Sequence, residues 1–231
     1  AELFAGEGGF SNKVIEMLKD KVVILASEDF WADWDITEDS DFAFSLGWCG
    51  ETDYVHLAPP CGTFSSARRS DEWGEVKVLR TAERPEGFGD PLAEEANLIA
   101  KRAAALCEKL IDRKRFFSVE NPASSLLWEL KSYKKLLQTP GVKCIELDQC
   151  AYGSEYCKPT KILTNAPWMF NVASRCRDLP PHRHVPLVGK VWDYRWGKLV
   201  WRTSLAAEYP EGLCSKWTAA LGDWVSECWP K

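Results

Sequence analysis

What the chain lacks narrows it first. No apolar run approaches the roughly 18 residues that a membrane helix requires, and no basic stretch followed by an apolar one opens the N-terminus. Neither a membrane span nor a secretory leader is therefore expected. Positive charge is in short supply: 29 Lys and Arg against 34 Asp and Glu leave a net charge of −5. That argues against a broadly basic coat for nucleic acid and leaves a local basic groove as the place where phosphate could be gripped. There is no repeat, heptad or low-complexity tract. The nine cysteines are odd in number and mostly isolated, unlike the even sets of a short secreted disulfide framework. A reducing, intracellular compartment fits better, nuclear in a eukaryote and cytoplasmic otherwise.

What is present fits one core with a small annex. With 231 residues, 45% of them hydrophobic, the chain can bury roughly 70% of its unfolded surface. It opens on Ala1 and enters a glycine-rich motif within a few residues, as expected of a segment of a longer polypeptide with flanking domains. Ala1 to Phe4 reads as a strand end, Ser11 to Lys19 as an amphipathic helix and Lys21 to Ala26 as a buried strand. Tyr54 to Leu57 is a further strand, and Ser65 to Asp90, rich in Arg, Glu, Gly and Pro, reads as a long mobile loop. Asp90-Pro91 has the form of an N-cap and first helical position, ahead of an apolar stripe at Leu92, Ala96, Ile99, Ala103, Leu106 and Leu110. Phe116 to Val119 is a strand, Ser124 to Leu137 a helix, and Lys143 to Leu147 and Lys161 to Thr164 two more strands. This alternation predicts an α/β fold with a doubly wound, mostly parallel sheet over residues 1–166. Residues 167–231 read as a small β-hairpin annex, with six of the twelve tryptophans falling after Lys190.

Four segments fall where such a sheet presents its ligands, at strand ends. Phe4-Ala5-Gly6-Glu7-Gly8-Gly9 lies between a strand and a helix, where small residues let backbone amides approach a polar ligand. After the second strand, Glu28 or Asp29 is placed to accept from a ribose hydroxyl pair; Phe30 could stack on an adenine and Asp35 accept from its exocyclic amine. In Ala58-Pro59-Pro60-Cys61-Gly62-Thr63-Phe64-Ser65 two prolines stiffen a strand end and hold a thiol there. To act as a nucleophile such a thiol needs its pKa lowered by nearby positive charge, for which Arg68 and Arg69 are candidates. Glu120-Asn121-Pro122 ends the Phe116 strand and so puts a carboxylate on the same rim, where shielding could let it give a proton to a ring nitrogen.

Phe-Ala-Gly-x-Gly-Gly, then Pro-Pro-Cys with Phe64-Ser65, then Glu-Asn, in that order over about residues 1 to 165, resembles the cytosine-5 DNA methyltransferase family. Lys158-Pro159-Thr160 and Thr164-Asn165 are similar to compact members from phages and mobile elements. The resemblance implies a Rossmann-like class I methyltransferase fold with S-adenosylmethionine as cofactor and DNA as partner. Phe4, Ala5, Gly6, Gly8, Gly9, Glu28, Asp29, Phe30, Asp35 and Pro59 would then surround the cofactor. Cys61 would attack carbon 6 of a flipped cytosine while Glu120 holds ring nitrogen 3. Ser65, Arg68, Arg69, Asn121, Lys158 and Lys161 would contact the substrate, with Arg80 and Arg84 adding charge to the loop after Cys61. The chain departs from the family at Gly62, where it has Gln, and at Pro122, where it has Val; Lys158 and Lys161 are the only basic residues where an arginine motif is expected, and about 65 residues remain after Asn165 for target recognition. An RNA cytosine-5 methyltransferase and a catalytically inactive binding module stay open as alternatives.

Two weaker signals remain. Cys176, His182 and His184, with Cys150 or Cys157, are of the types that ligate zinc, but their spacing matches no standard finger and no metal is assigned. In Trp192-Asp193-Tyr194-Arg195-Trp196 the aromatics alternate at period two, which predicts a hairpin strand packing its aromatic face on the core.

Overall fold

A computed structural model describes residues 1–25, 27–28, 34–65 and 78–228. Its strands β1 (Glu2–Leu3), β2 (Ser27–Glu28), β3 (Tyr54–Leu57), β4 (Phe116–Pro122), β5 (Lys143–Asp148) and β6 (Pro159–Thr164) form one sheet in the order β2-β1-β3-β4-β6-β5. β1 pairs parallel with β2 and β3, and β3 parallel with β4. Helices α1 (Gly9–Leu18), α2 (Asp39–Cys49), α3 (Pro91–Asp112) and α4 (Lys131–Leu137) intervene, as the mixed α/β pattern predicts.

By its contacts the chain divides into two units interleaved in sequence. The first comprises Ala1–Ala5, Ile24–Ile145 and Lys161–Pro167, the second Gly6–Val23, Glu146–Thr160 and Trp168–Lys231. The core of the first is built from Leu3, Val55, Leu57, Phe117 and Val119 of the sheet and from Ala96, Ala100, Ala103, Leu106 and Leu110 of α3. Asp90 caps α3 by accepting from Leu92 N, with Pro91 next in line; Leu92 itself stays exposed. Beneath the rim, His56 Nδ1 lies 2.8 Å and Tyr54 Oη 2.6 Å from Ser118 Oγ. Burial pushes the His56 pKa down to about 3, so the imidazole is neutral. Thr164 Oγ1 donates to Phe117 O, and Asn165 takes Phe117 N (2.8 Å) and gives to Arg115 O (2.9 Å). The Thr164-Asn165 pair thus fastens the end of β6 to β4.

In the second unit α1 packs on α6 (Glu211–Cys228) through Phe10, Val14 and Leu18 against Leu213, Trp217 and Leu221. The Phe10 and Trp217 rings stand 4.7 Å apart. A Cβ at Gly222 would meet Leu18 Cδ2 at 2.6 Å, so a larger residue there would make the Leu18 side chain shift. β7 (Lys190–Asp193) and β8 (Lys198–Trp201) pair antiparallel and lead into the short α5 (Arg202–Leu205).

Three expectations change. The strand expected from Lys21 to Ala26 is not formed by its described residues: Lys21 closes a 3-10 turn, Ala26 lies outside the described residues, and Val23, 80% exposed, lies before the register in which β1 pairs with Ser27 and Glu28. The predicted helix from Ser124 to Leu137 is broken into a 3-10 turn (Leu126–Glu129) and α4, because Leu130 takes an extended conformation with its side chain buried. In β7 and its turn the buried side is the polar one: Asp193 is buried and accepts from Arg195 N, whereas Trp192, Tyr194 and Trp196 are exposed. Lys190 and Lys198 lie over Trp201 and Trp196 instead of any core covering them.

Candidate functional site

The register of β3 and β4 pairs Leu57 with Val119. Both chains then run off the same carboxyl edge, so Ala58–Cys61 and Glu120–Asn121 continue neighbouring parallel strands. The two segments are tied directly, since Asn121 Nδ2 donates to Pro59 O at 2.8 Å. Glu120 and Asn121 are 6% and 1% exposed, while Cys61 is half-buried and in no disulfide. After the thiol the chain turns at once, Phe64 N donating to Cys61 O at 3.0 Å, and Phe64 O accepts from Leu126 N.

Arg80 fixes this turn from the other side. Its guanidinium donates to Thr63 O (3.1 Å), Thr63 Oγ1 (3.1 Å), Pro85 O (2.7 Å) and Ala93 O (2.8 Å), and stacks 3.9 Å from the Phe64 ring centre. It is 5% exposed, and burial lowers its pKa to about 10, which still leaves it charged at neutral pH. The reading of Arg80 as a phosphate contact is thus overturned: its donors are spent inside the protein. Residues 78–90 are likewise held, with Asn97 Nδ2 on Glu86 O at 2.7 Å and Gly87 N on Arg84 O at 3.0 Å.

Beside the rim lies a cavity of about 310 Å³ lined by Phe4, Trp34, Asp35, Ile36, Ala58, Pro60, Glu95 and Ile99. Trp34 meets Phe4 edge-on at 5.5 Å and anchors its indole N–H on Ser45 Oγ at 3.1 Å. Asp35 Oδ1 accepts from both N and Oγ1 of Thr37 at 2.8 Å, and Arg102 of α3 donates to Ile36 O at 2.8 Å, so the segment is fixed before any ligand arrives. Phe4 has a positive φ of 59° where the chain leaves β1. An aromatic and aliphatic lining with two carboxylates suits a flat heterocycle bearing amino groups.

Of the residues singled out in the sequence, Cys61, Glu120, Asn121 and Pro59 come together on the rim, and Phe4 and Asp35 face the cavity. Ala5 and Ser65 belong to the same unit. Lys161 lies over the Trp128 ring at 5.6 Å, and that indole donates to Pro122 O at 2.9 Å, which brings Lys161 to the turn after β4. Gly6, Gly8, Gly9 and Lys158 fall in the second unit. There Gly6 and Gly8 have φ of 54° and 65°, and Gly8 is the left-handed residue from which α1 starts. Glu28 is described for its backbone in β2 alone, and Asp29, Phe30, Arg68 and Arg69 lie outside the described residues. Sequence reasoning missed Glu95 and Ile99; their i, i+4 spacing on α3 puts both on one helix face, but only the fold says what that face meets.

No protein-family model matches the chain, and no curated protein does. Among solved structures it is similar to EhMeth, a methyltransferase of Entamoeba histolytica, with 14% sequence identity, a TM-score of 0.40 and a match over 82% of this chain. The chain spans 57% of the length of that protein.

Proposed function

We propose that the first unit is the catalytic centre of an S-adenosylmethionine-dependent methyltransferase acting on carbon 5 of cytosine in DNA. The observation that carries this reading is the rim, where the Pro59–Cys61 and Glu120–Asn121 motifs end adjacent parallel strands and are joined by the Asn121–Pro59 hydrogen bond. A nucleophile and an enclosed carboxylate on one sheet edge are what addition to an activated pyrimidine requires.

In this reading the Cys61 thiolate adds to C6 of an unstacked cytosine while Glu120, entering protonated, gives its proton to N3. The displaced electron pair moves to C5, making that carbon the nucleophile. S-adenosylmethionine, when bound, supplies the electrophilic methyl group. Phe4 and Trp34 offer the cavity's aromatic surface, and the second oxygen of Asp35 is the acceptor for an exocyclic amine. Loss of the C5 proton to solvent, return of the N3 proton to Glu120 and expulsion of the Cys61 sulfur restore the ring.

The test is trapping on an oligonucleotide carrying 5-fluorocytosine, whose C–F bond blocks the elimination. A denaturation-resistant adduct that needs both the cofactor and Cys61 is expected. An adduct on RNA and none on DNA would change the substrate; no adduct from a chain that binds the cofactor would make it a binding module.

A further inference from the structure

We propose that Cys150, Cys176, His182 and His184 of the second unit form a structural zinc site. Their ligand atoms, two sulfurs and two ring nitrogens, all lie within 4.8 Å of one another. Zn–S and Zn–N bonds of about 2.3 and 2.05 Å at tetrahedral angles give sulfur–nitrogen edges of about 3.6 Å. Cys176 Sγ stands 3.5 Å from His184 Nε2 and 3.8 Å from His182 Nε2. The two Nε2 atoms are 2.9 Å apart, slightly inside the edge of about 3.3 Å that a bound ion would set.

The surroundings orient these atoms as a metal would need. His182 Nδ1 lies 2.9 Å from Pro180 O. A carbonyl only accepts, so Nδ1 carries the proton and Nε2 keeps its lone pair for the cluster. Cys176 is held by its backbone, its N donating to Asp148 Oδ2 at 2.8 Å while Arg175 Nε takes the same oxygen at 3.0 Å. Val185 N donates to Glu155 O at 2.9 Å, which binds the segment after His184 to the turn after Cys150. A plain hydrogen bond between the histidines explains one edge of the cluster. It does not explain why two sulfurs from separate parts of the chain converge on the same point.

The fold also needs such a link. Between Val172 and Lys190 the described chain has no strand and a single 3-10 turn, Cys176–Asp178. Four protein ligands and no open position are the mark of a structural ion, which would join this stretch to the Gln149–Tyr152 turn.

The measurement is zinc content of the untagged full chain after dialysis against metal-free buffer, followed by replacement with cobalt(II). About one ion per chain and the intense thiolate-to-cobalt absorption of a tetrahedral site are expected. Cys176→Ser and His184→Ala should each bind zinc at least about tenfold more weakly, in line with the loss of one ligand, whereas Cys228→Ser, an exposed cysteine of the same unit, keeps it. A wild-type chain that takes up no zinc, or gives only the faint spectrum of octahedral cobalt, overturns the site and leaves a hydrogen-bonded histidine pair beside free thiols. The cobalt spectrum is read on the wild type, so the result stands even if a variant does not fold.

Discussion

The two units hold their chemistry-bearing side chains by different means. In the first, Cys61 and Glu120 are 59 residues apart in sequence, and the β3–β4 ladder sets their positions before any side chain contributes. In the second, Cys176, His182 and His184 stand on irregular chain, placed by side-chain and backbone contacts such as those to Asp148 and Pro180. A ladder is satisfied by its own hydrogen bonds and needs no ligand to persist. The stretch between Val172 and Lys190, seventeen residues with a single 3-10 turn, has no such internal account of its order, and a cross-link is the natural physical supplement. The difference teaches where substitution should be local and where it should spread.

The sharpest break in this comparison is Cys61→Ser. Because the ladder and not the thiol holds the rim, the variant should fold and bind S-adenosylmethionine like wild type while methyl transfer falls below detection, a hydroxyl being a far weaker nucleophile near neutral pH. Radiolabelled methyl incorporation and calorimetric titration of the cofactor read the two halves; residual turnover would remove the covalent step. Arg80→Ala should do the reverse. It leaves the carbonyls of Thr63, Pro85 and Ala93 without their donors, and the net loss in urea-denaturation stability should be about 3–5 kcal/mol. A loss under about 1 kcal/mol, the scale of a surface substitution, would show that the turn after Cys61 is held elsewhere.

Asp35→Ala tests the cavity alone. One carboxylate oxygen already serves Thr37, so the variant should lose about 1–3 kcal/mol of cofactor affinity at the second, measured calorimetrically. Unchanged affinity would take Asp35 out of the adenine position.

How far the sequence could be read follows the same division. Tyr54–Leu57 and the Asp90-Pro91 start of α3 were legible because short apolar runs and caps are local signals. So was the rim, since Pro59–Cys61 comes just after β3 and Glu120–Asn121 lies at the carboxyl end of β4. The break at Leu130 was not legible: the apolar residues from Leu126 to Leu137 fit a helical period, and only the packing of Leu130 interrupts it. Arg80 reads in sequence as one more loop cation, and its burial comes from Thr63, Pro85 and Ala93, which no spacing links to it. The members of the Cys/His cluster were legible as zinc-ligand types but not as a site, and Cys150 could not be told from Cys157, because the long gap to Cys176 has no fixed finger register. α6 carries Trp217 and Trp224 in a helix where aromatic richness had suggested strands.

Histidine sharpens the contrast further. His56, neutral and enclosed in the first unit, has a folded pKa of about 3 against an ordinary 6.5. The unfolded chain therefore takes up a proton below pH 6.5 that the folded chain refuses until about pH 3. Its contribution is present above pH 6.5 and is lost as pH falls, by up to about 1.4 kcal/mol per unit. Urea denaturation at stepped pH should show this fall in wild type and a flatter one in His56→Asn, which keeps a polar atom facing Ser118. Parallel curves would assign the acid sensitivity to other groups.

The smallest effect concerns where, on the proposed function, the phosphate of DNA would be gripped. An acidic chain needs local cations to approach DNA, and the structure removes one of the four expected after Cys61, because Arg80 is turned inward. Arg84 stands over the Phe88 ring, 5.5 Å from its centre, which engages its cationic face. Arg68 and Arg69 are then the cations nearest in sequence to Cys61. Each phosphate contact contributes about −0.9 to the slope of log affinity against log salt, so replacing both by Ala should flatten that slope by about 2 and leave cofactor binding intact. Between low and physiological salt the variant and the wild type should converge, since the lost contacts matter least where counterions already compete. Arg80→Lys serves as the control, because a buried cation that meets no phosphate should leave the slope where it was. Equal slopes for wild type and the double variant would move the DNA path to the Lys161 side of the rim, where the ammonium group already lies beside the turn that follows Glu120.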